Sequence, residues 1–425
     1  MKKFIVFLFV FGLISAAFAE DTTKMTASVS GVVYGTTFQT AAGGPNDKGD
    51  FSEGRIQPLF TITNGTMDVV FKFRFDQTFG KDDRAAGADS DAFGSASRKN
   101  DIKIMNAYVK SKVDAVPGLT LAGGIMIYDY PILYSDNMAM FNATYDAGMA
   151  KLALYYGKTS ENDKKSSQDD AQVYIADLTV KLGASSLRPA FFLYKQGKNA
   201  STNPDDDMAN FDGSTGYIYA LAGNIVVDSF GVDFTTAYSM GNQKIGTTTQ
   251  KMTGYALDVA PYYKVNSMIK TTAFMTMISG DNGSSSTKNT SFRNTAIDPT
   301  SGLNVVRLYI LEDGASYGKN SDVCGAADMK YRKDYGYMAY GLALDAAVGP
   351  FTAKLQGAYA VANKVATGMK KDLGIELDAN VGYALTKGST LFVEGGFLKS
   401  GKYFDTATDK ANNAYYVMGG ISYSI

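Results

Sequence analysis

Among its 425 residues the chain has no histidine, no tryptophan, one cysteine and nine prolines. Each shortage removes a class of answer. Without imidazole there is no ordinary general base or proton carrier, and with a single thiol no cluster of soft metal ligands. No catalytic residue, metal site or cofactor is therefore expected. Cys324 cannot form an internal disulfide, so an exported chain of this size must be held by backbone pairing and packing; Cys324 itself reads as an inert loop or strand residue. Past the first twenty residues there is no long uncharged apolar run, which excludes transmembrane helices, and no sustained stripe of period 3.6. Charge is nearly balanced, so nothing points to a nucleic-acid partner. No repeat or extended linker marks a second domain, and strand patterning begins near Met25, leaving no room for an N-terminal plug.

What is present begins with an export signature. Lys2 and Lys3 precede an apolar stretch from Phe4 to Ile14, and Ala17-Phe18-Ala19 supplies small residues at −3 and −1. Residues 1–19 read as a secretory signal peptide, with Glu20 the expected new N-terminus. No cysteine follows Ala19, against a lipid anchor. Removing Lys2 and Lys3 leaves 39 bases against 42 acids.

The rest of the chain, 20–425, alternates. Met67, Val69, Phe71, Phe73 and Phe75 interleave with Asp68, Val70, Lys72, Arg74 and Asp76. Leu373 to Leu385 alternates against Gly374, Glu376, Asp378, Asn380 and Gly382, and Leu391 to Phe397 against Thr390, Phe392, Glu394 and Gly396. This period of two belongs to strands. Short links fall at 64–65, 115–118, 146–147, 183–186, 228–229, 265–267, 349–350 and 386–388. Longer polar loops are expected near 39–53, 80–98, 158–170, 197–213, 241–250, 362–371 and 400–413, with the longest at 280–333. Short turns on one rim and long loops on the other describe a membrane barrel rather than a soluble sandwich. The fold class expected is all-β: a transmembrane antiparallel β-barrel of about eighteen strands, sixteen being the alternative. At that size wall side chains alone cannot fill the interior.

The final strand, Tyr415 to Ile425, alternates to the last residue. It resembles the C-terminal strand of outer-membrane proteins that the barrel-assembly machinery reads, with Ile425 where Phe or Trp is usual. Over its whole mature length the pattern resembles the Gram-negative outer-membrane porins. It is similar to the eighteen-stranded families that pass amino acids, aromatic acids or alginate, and less so to sixteen-stranded general porins. The resemblance implies a water-filled channel for passive diffusion of small hydrophilic solutes, set among outer-membrane lipids and lipopolysaccharide after export through the periplasm. It also implies inward-folded loops that narrow the pore, for which 280–333 is the first candidate and Pro131 to Met138 the second. Leu303 to Leu311 reads as a strand, a loop packed in the pore or an external flap. Monomer and homotrimer stay open, as do the solute and the sign of ion preference. The alternative function is a non-conducting surface protein presenting loops to partners. Outer-membrane phospholipases, acyltransferases and omptin-type proteases resemble systems that need the missing histidine.

If the Phe-rich faces meet lipid, alternation turns Arg55, Lys72, Arg74, Arg188 and Lys354 toward the lumen, together with Asp68, Asp76, Asp177, Glu376, Asp378 and Glu394. Opposed positive and negative rings would set up a transverse field. Tyr155-Tyr156, Tyr262-Tyr263 and Tyr415-Tyr416 suit interfacial girdles. Gly157-Lys158-Thr159 lacks the rest of a phosphate loop, and Asp205-Asp206-Asp207 reads as a solvated loop.

Overall fold

The computed structural model describes residues 23–39, 48–79, 92–93, 101–131, 133–160, 171–196, 214–245, 248–292, 307–312, 335–405 and 410–425. The proposed signal peptide, Cys324 and Asp205 to Asp207 lie outside these residues. The wall begins with β1 Lys24–Gln39, β2 Lys48–Thr63 and β3 Met67–Phe79. After the two-residue β4 Ala92–Phe93 come β5 Asp101–Lys112, β6 Leu119–Tyr130, β7 Tyr134–Asp146, β8 Ala150–Ser160, β9 Ala171–Leu182 and β10 Ser185–Gln196. It continues through β11 Thr215–Val227, β12 Phe230–Ile245, β13 Thr248–Lys264, β14 Ile269–Ile278 and the two-residue β15 Lys288–Asn289. It ends with β16 Tyr337–Val348, β17 Phe351–Ala362, β18 Asp372–Thr386, β19 Ser389–Ser400 and β20 Ala414–Ser424. Setting β4 and β15 aside, eighteen strands pair antiparallel with their neighbours in chain order, and β1 pairs β20 from Ser30↔Ser424 to Gln39↔Tyr415. The sheet is closed, and its strand edges are used up.

Side-chain direction follows from the two-residue period. Leu342 (69% exposed) and Leu355 (57%) point outward, whereas Glu376 (0%) and Asp258 (5%) are buried inside. An apolar exterior around a charged interior inverts a soluble barrel and fits lipid outside with water within. Two aromatic belts mark the limits of that exterior. Near the short-turn rim, Phe230 packs against Tyr263 and Phe351 against Tyr383 with tilted rings, their centroids 4.6 and 4.8 Å apart. Toward the other rim Tyr219, Tyr238 and Tyr255 lie in one cross-strand row, as do Tyr340 and Tyr359. Phe230 and Tyr238, Tyr255 and Tyr263, and Phe351 and Tyr359 are each eight positions apart. That is roughly 26 Å along a strand and about 20 Å vertically at a tilt near 40°.

The expected tyrosine pairs divide between the faces. Tyr263 is exposed while Tyr262 turns inward, and Tyr155 packs on the interior Tyr128 while Tyr156 meets Tyr174. Tyr416 is buried. Alternation allows only one member of each dipeptide to reach lipid.

All eight short links are hairpin turns. Asn64 is typical: its Oδ1 accepts the N–H groups of Thr66 and Met67, and Gly65 takes φ 89°. Two long loops differ from expectation. β12 and β13 pair up to Ile245↔Thr248, so most of 241–250 is strand, and β1 and β2 pair up to Gln39↔Lys48, shortening 39–53. Polar, Thr-rich stretches look like loops, but beyond the lipid both faces of a strand can be wet. The Pro131 to Met138 link shrinks to 131–133 because Tyr130 pairs Tyr134.

This orientation predicts that Leu342→Arg, mid-strand on the lipid side, costs about 2–4 kcal/mol of stability in bilayers. Urea unfolding from lipid vesicles measures it; an unchanged midpoint would show that Leu342 does not face lipid.

A latched constriction inside the barrel

Two pieces of chain leave the wall and enter the lumen. The first is the tip of the β6–β7 hairpin. β6 reads Gly123-Gly124-Ile125-Met126-Ile127-Tyr128-Asp129-Tyr130, apolar on both faces. Ile125 and Ile127 are exposed, while Met126, Tyr128 and Tyr130 are buried. The tip reaches strands several places around the ring. Tyr128 donates its hydroxyl to Asp177 Oδ2 on β9 at 3.1 Å. Tyr130 donates to the Arg188 carbonyl on β10 and accepts the Ala222 N–H of β11 at 3.0 Å. Phe192 meets both tyrosine rings edge-on, at 5.9 and 5.6 Å.

Arg188 completes this first latch. Its Nε lies 3.0 Å from both Asp177 oxygens, and its Nη2 lies 2.6 Å from Oδ2 and donates to the Asp129 carbonyl at 2.8 Å. The guanidinium sits 4.6 Å from the Tyr130 ring centroid. A pair this buried adds little net stability, but removing one partner strands a charge at about 3–5 kcal/mol.

The second inward piece is residues 307–312 of the long loop, which lie inside the barrel against β13, β17 and β18. Arg307 donates Nε to Asp258 Oδ1 at 2.9 Å and Nη2 to Oδ2, while the Thr276 hydroxyl donates to Oδ1 at 2.8 Å. Here the arginine belongs to the inward piece and the carboxylate to the wall, whereas in the first latch arginine and carboxylate both belong to the wall. The peptide groups of the strap also need partners. Tyr309 N–H goes to Asp378 Oδ2 (3.3 Å), and those of Ile310 and Leu311 go to the two Glu376 oxygens (2.6 and 3.0 Å). Glu312 folds back to accept the N–H groups of Arg307 and Leu308 and the Tyr337 hydroxyl. Gln356 donates to the Arg307 carbonyl and Asp378, and Asn380 to the Tyr309 hydroxyl. Gly396 leaves the space: a Cβ there would come 2.7 Å from Asp378 Oδ1 and 3.1 Å from Ile310 Cγ1.

Between the latches lies a cavity of about 510 Å³, lined by Arg188, Arg307, Lys354, Asp233 and Asp258 with Asn224, Thr235 and Ser186. Of the residues singled out from sequence, Arg188 and Lys354 meet here. Asp177, Glu376 and Asp378 are covered by the inward pieces, and Glu394 is also buried. Arg55, Asp68, Lys72 and Arg74 share the inner face of β2 and β3, away from the cavity; Asp68 pairs with Lys110 at 3.5 Å. Asp76 is registered opposite Arg55 in the backbone ladder, and its side chain lies outside the described set. Around the ring only β20 and β1 separate the β2–β3 face, which carries Arg55, Lys72 and Arg74 with Asp68, from the β18–β19 face with Glu376, Asp378 and Glu394.

Sequence reasoning passed over Tyr128, Tyr130, Asp258, Arg307 and Glu312. Asp258 was readable from alternation, since Tyr255, Leu257 and Val259 leave it on the polar face. The double-sided apolar run of β6 was the signal for a strand with no watery face. Arg307 and Glu312 follow no period.

The neck of the long loop is pinned by Asp281, which accepts the N–H groups of Gly283 and Thr290 and the Thr290 hydroxyl; Lys364 in turn donates to Thr290. Burial alone would raise this carboxyl, but these donors and the Lys364 charge hold it below its ordinary value of 3.8. A depressed carboxylate stabilises above its unfolded pKa and loses that contribution as pH falls through the folded value. Amide exchange at Gly283 and Thr290, corrected for the intrinsic rate, should therefore accelerate below about pH 4. Asp281→Asn should remove the step; equal protection at pH 3 and 6 would contradict the assignment. Separately, Glu376→Gln sets an amide NH₂ against the strap N–H groups at a cost of about 1–3 kcal/mol. The expected result is noisier open-channel current from a strap that detaches, and an unaltered trace would refute the latch.

The sequence matches no protein-family model and no curated protein. Solved structures match over nearly the full chain. Pseudomonas aeruginosa OccK9 (OpdG) aligns at TM-score 0.59 and 11% identity, covering 96% of this chain and 100% of its own. A BenF-like porin from Pseudomonas fluorescens Pf-5 aligns at 0.58 and 10%, covering 95% and 99%. Pseudomonas aeruginosa OpdK, solved with vanillate, aligns at 0.55 and 11%, covering 94% and 98%. The chain therefore shares the closed eighteen-stranded fold of these porin structures.

Proposed function

We propose that the chain is an outer-membrane porin that passes small hydrophilic solutes by passive diffusion through a charged constriction, with no covalent step and no energy coupling. Residues 1–19 direct export, and the barrel-assembly machinery inserts the folded wall among lipids and lipopolysaccharide. The observation that carries this reading is the combination of an apolar exterior with a charged cavity of about 510 Å³ between two inward pieces. A barrel serving only as a loop platform has no need of a narrowed, charged interior. Arg55, Lys72 and Arg74 on one arc act on solutes approaching the cavity, with Asp68 beside them. Arg188 and Lys354 meet solutes within it. Asp177, Glu376, Asp378 and Glu394 act from behind, by shaping the passage. Aromatic carboxylates are sensible first solutes to try, since the OpdK structure was solved with vanillate.

Purified protein in a planar bilayer is expected to give stable single-channel steps. A correctly folded barrel that stays silent would overturn the proposal and move the function to the loops.

A further inference from the structure

The three cations of the cavity are not equivalent. Arg188 and Arg307 each lay two nitrogens on a carboxylate set behind them, the side chains of Asp177 and Asp258 being only 5% and 7% exposed. From the cavity each pair is close to neutral. Its remaining role is mechanical, holding an inward piece to the wall.

Lys354 is placed differently. The carboxylate directly across from it on β16 is Asp345, and that carboxylate lies 3.4 Å from Lys270 instead. Its opposite number on β18 is Asn380, whose amide is committed to Tyr309. Among the described residues the Lys354 ammonium has no hydrogen-bond or ion-pair partner; its nearest recorded contact is the Tyr309 ring, with the centroid 5.8 Å away. The side chain is half-buried and still lines the cavity. Asp233 lines the same cavity and accepts from the neutral Asn224 amide, which leaves its negative charge in place.

We propose that Lys354 sets the charge preference of the passage, while Arg188 and Arg307 fix its width. The inference rests on the diffusion-channel reading and assigns its anion-favouring charge to Lys354, with Asp233 opposing it. A neutralised pair offers an ion only a short-range dipole, whereas the Lys354 ammonium, in no ion pair among the described residues and only partly offset by Asp345 and Asp378, acts over the whole cavity.

The test is the reversal potential in a KCl gradient across a planar bilayer, with β-sheet circular dichroism checking that each variant folds. Lys354→Gln should lower the anion-to-cation permeability ratio roughly two- to five-fold, the size of one partly screened charge. Lys354→Arg should restore the ratio, and Asp233→Asn should raise it. The charge-neutral double variants Asp177→Asn with Arg188→Gln, and Asp258→Asn with Arg307→Gln, should change conductance and noise while nearly keeping the ratio. An unchanged ratio in Lys354→Gln overturns the proposal, as does a shift of equal size in either double variant. A wild-type barrel with no conductance fails the channel reading itself. A conducting wild type with an indifferent Lys354→Gln fails only the assignment to Lys354.

Discussion

A peptide N–H or C=O in hydrocarbon has no water to turn to, and each one left unpaired costs several kcal/mol. Closure of β1 on β20 meets that demand for the whole wall at once. The other features follow from it. A closed sheet needs a strict two-residue alternation, because one face meets lipid and the other water. Eighteen strands enclose more space than wall side chains can fill. The molecule narrows that space with pieces of its own backbone.

Those pieces carry the same demand inward. The strap at 307–312 has no ladder of its own, so its N–H groups find acceptors among side chains: Glu312 within the strap, and Glu376 and Asp378 on the wall. The hairpin tip is served by Tyr128, Tyr130 and the Arg188–Asp177 pair. Much of the interior charge is therefore structural. Carboxylates on the polar face of a strand are not automatically open to solute; here several hold the elements that define the passage. This division leaves Lys354 facing the cavity without an ion pair among the described residues, while Asp345 across from it is engaged by Lys270 and Asp378 by the strap.

The barrel was legible from sequence because its constraint is periodic. Met67 to Asp76 and Leu373 to Leu385 announce both their period and their faces, and Asn64-Gly65 and Gly349-Pro350 announce their turns. The strand count follows from those turns, with the break between β14 and β16 absorbed by one long loop. The constriction was legible only in part. Its general location came from the length of 280–333 and from the Pro131 region. The partners could not be read, because Arg307 meets Asp258 across 49 positions and Glu376 meets Ile310 across 66. Contacts between a wall and an aperiodic strap leave no repeat in the chain. Polar strand ends such as Gln243 to Ile245 and Thr248 to Gln250 look like loop for a related reason: above the lipid, alternation stops being enforced.

Residues 307–312 are seated inside the barrel against β18 and β19. That seating is tested most directly by a disulfide between Ile310→Cys and Gly396→Cys in a Cys324→Ser background, where a Cβ at position 396 would approach Ile310 Cγ1 to 3.1 Å. The bond is expected to form on mild oxidation and to leave the single-channel conductance of the reduced variant unchanged, because the strap already sits there. Failure of the bond to form, or a collapse of conductance when it does, would contradict it.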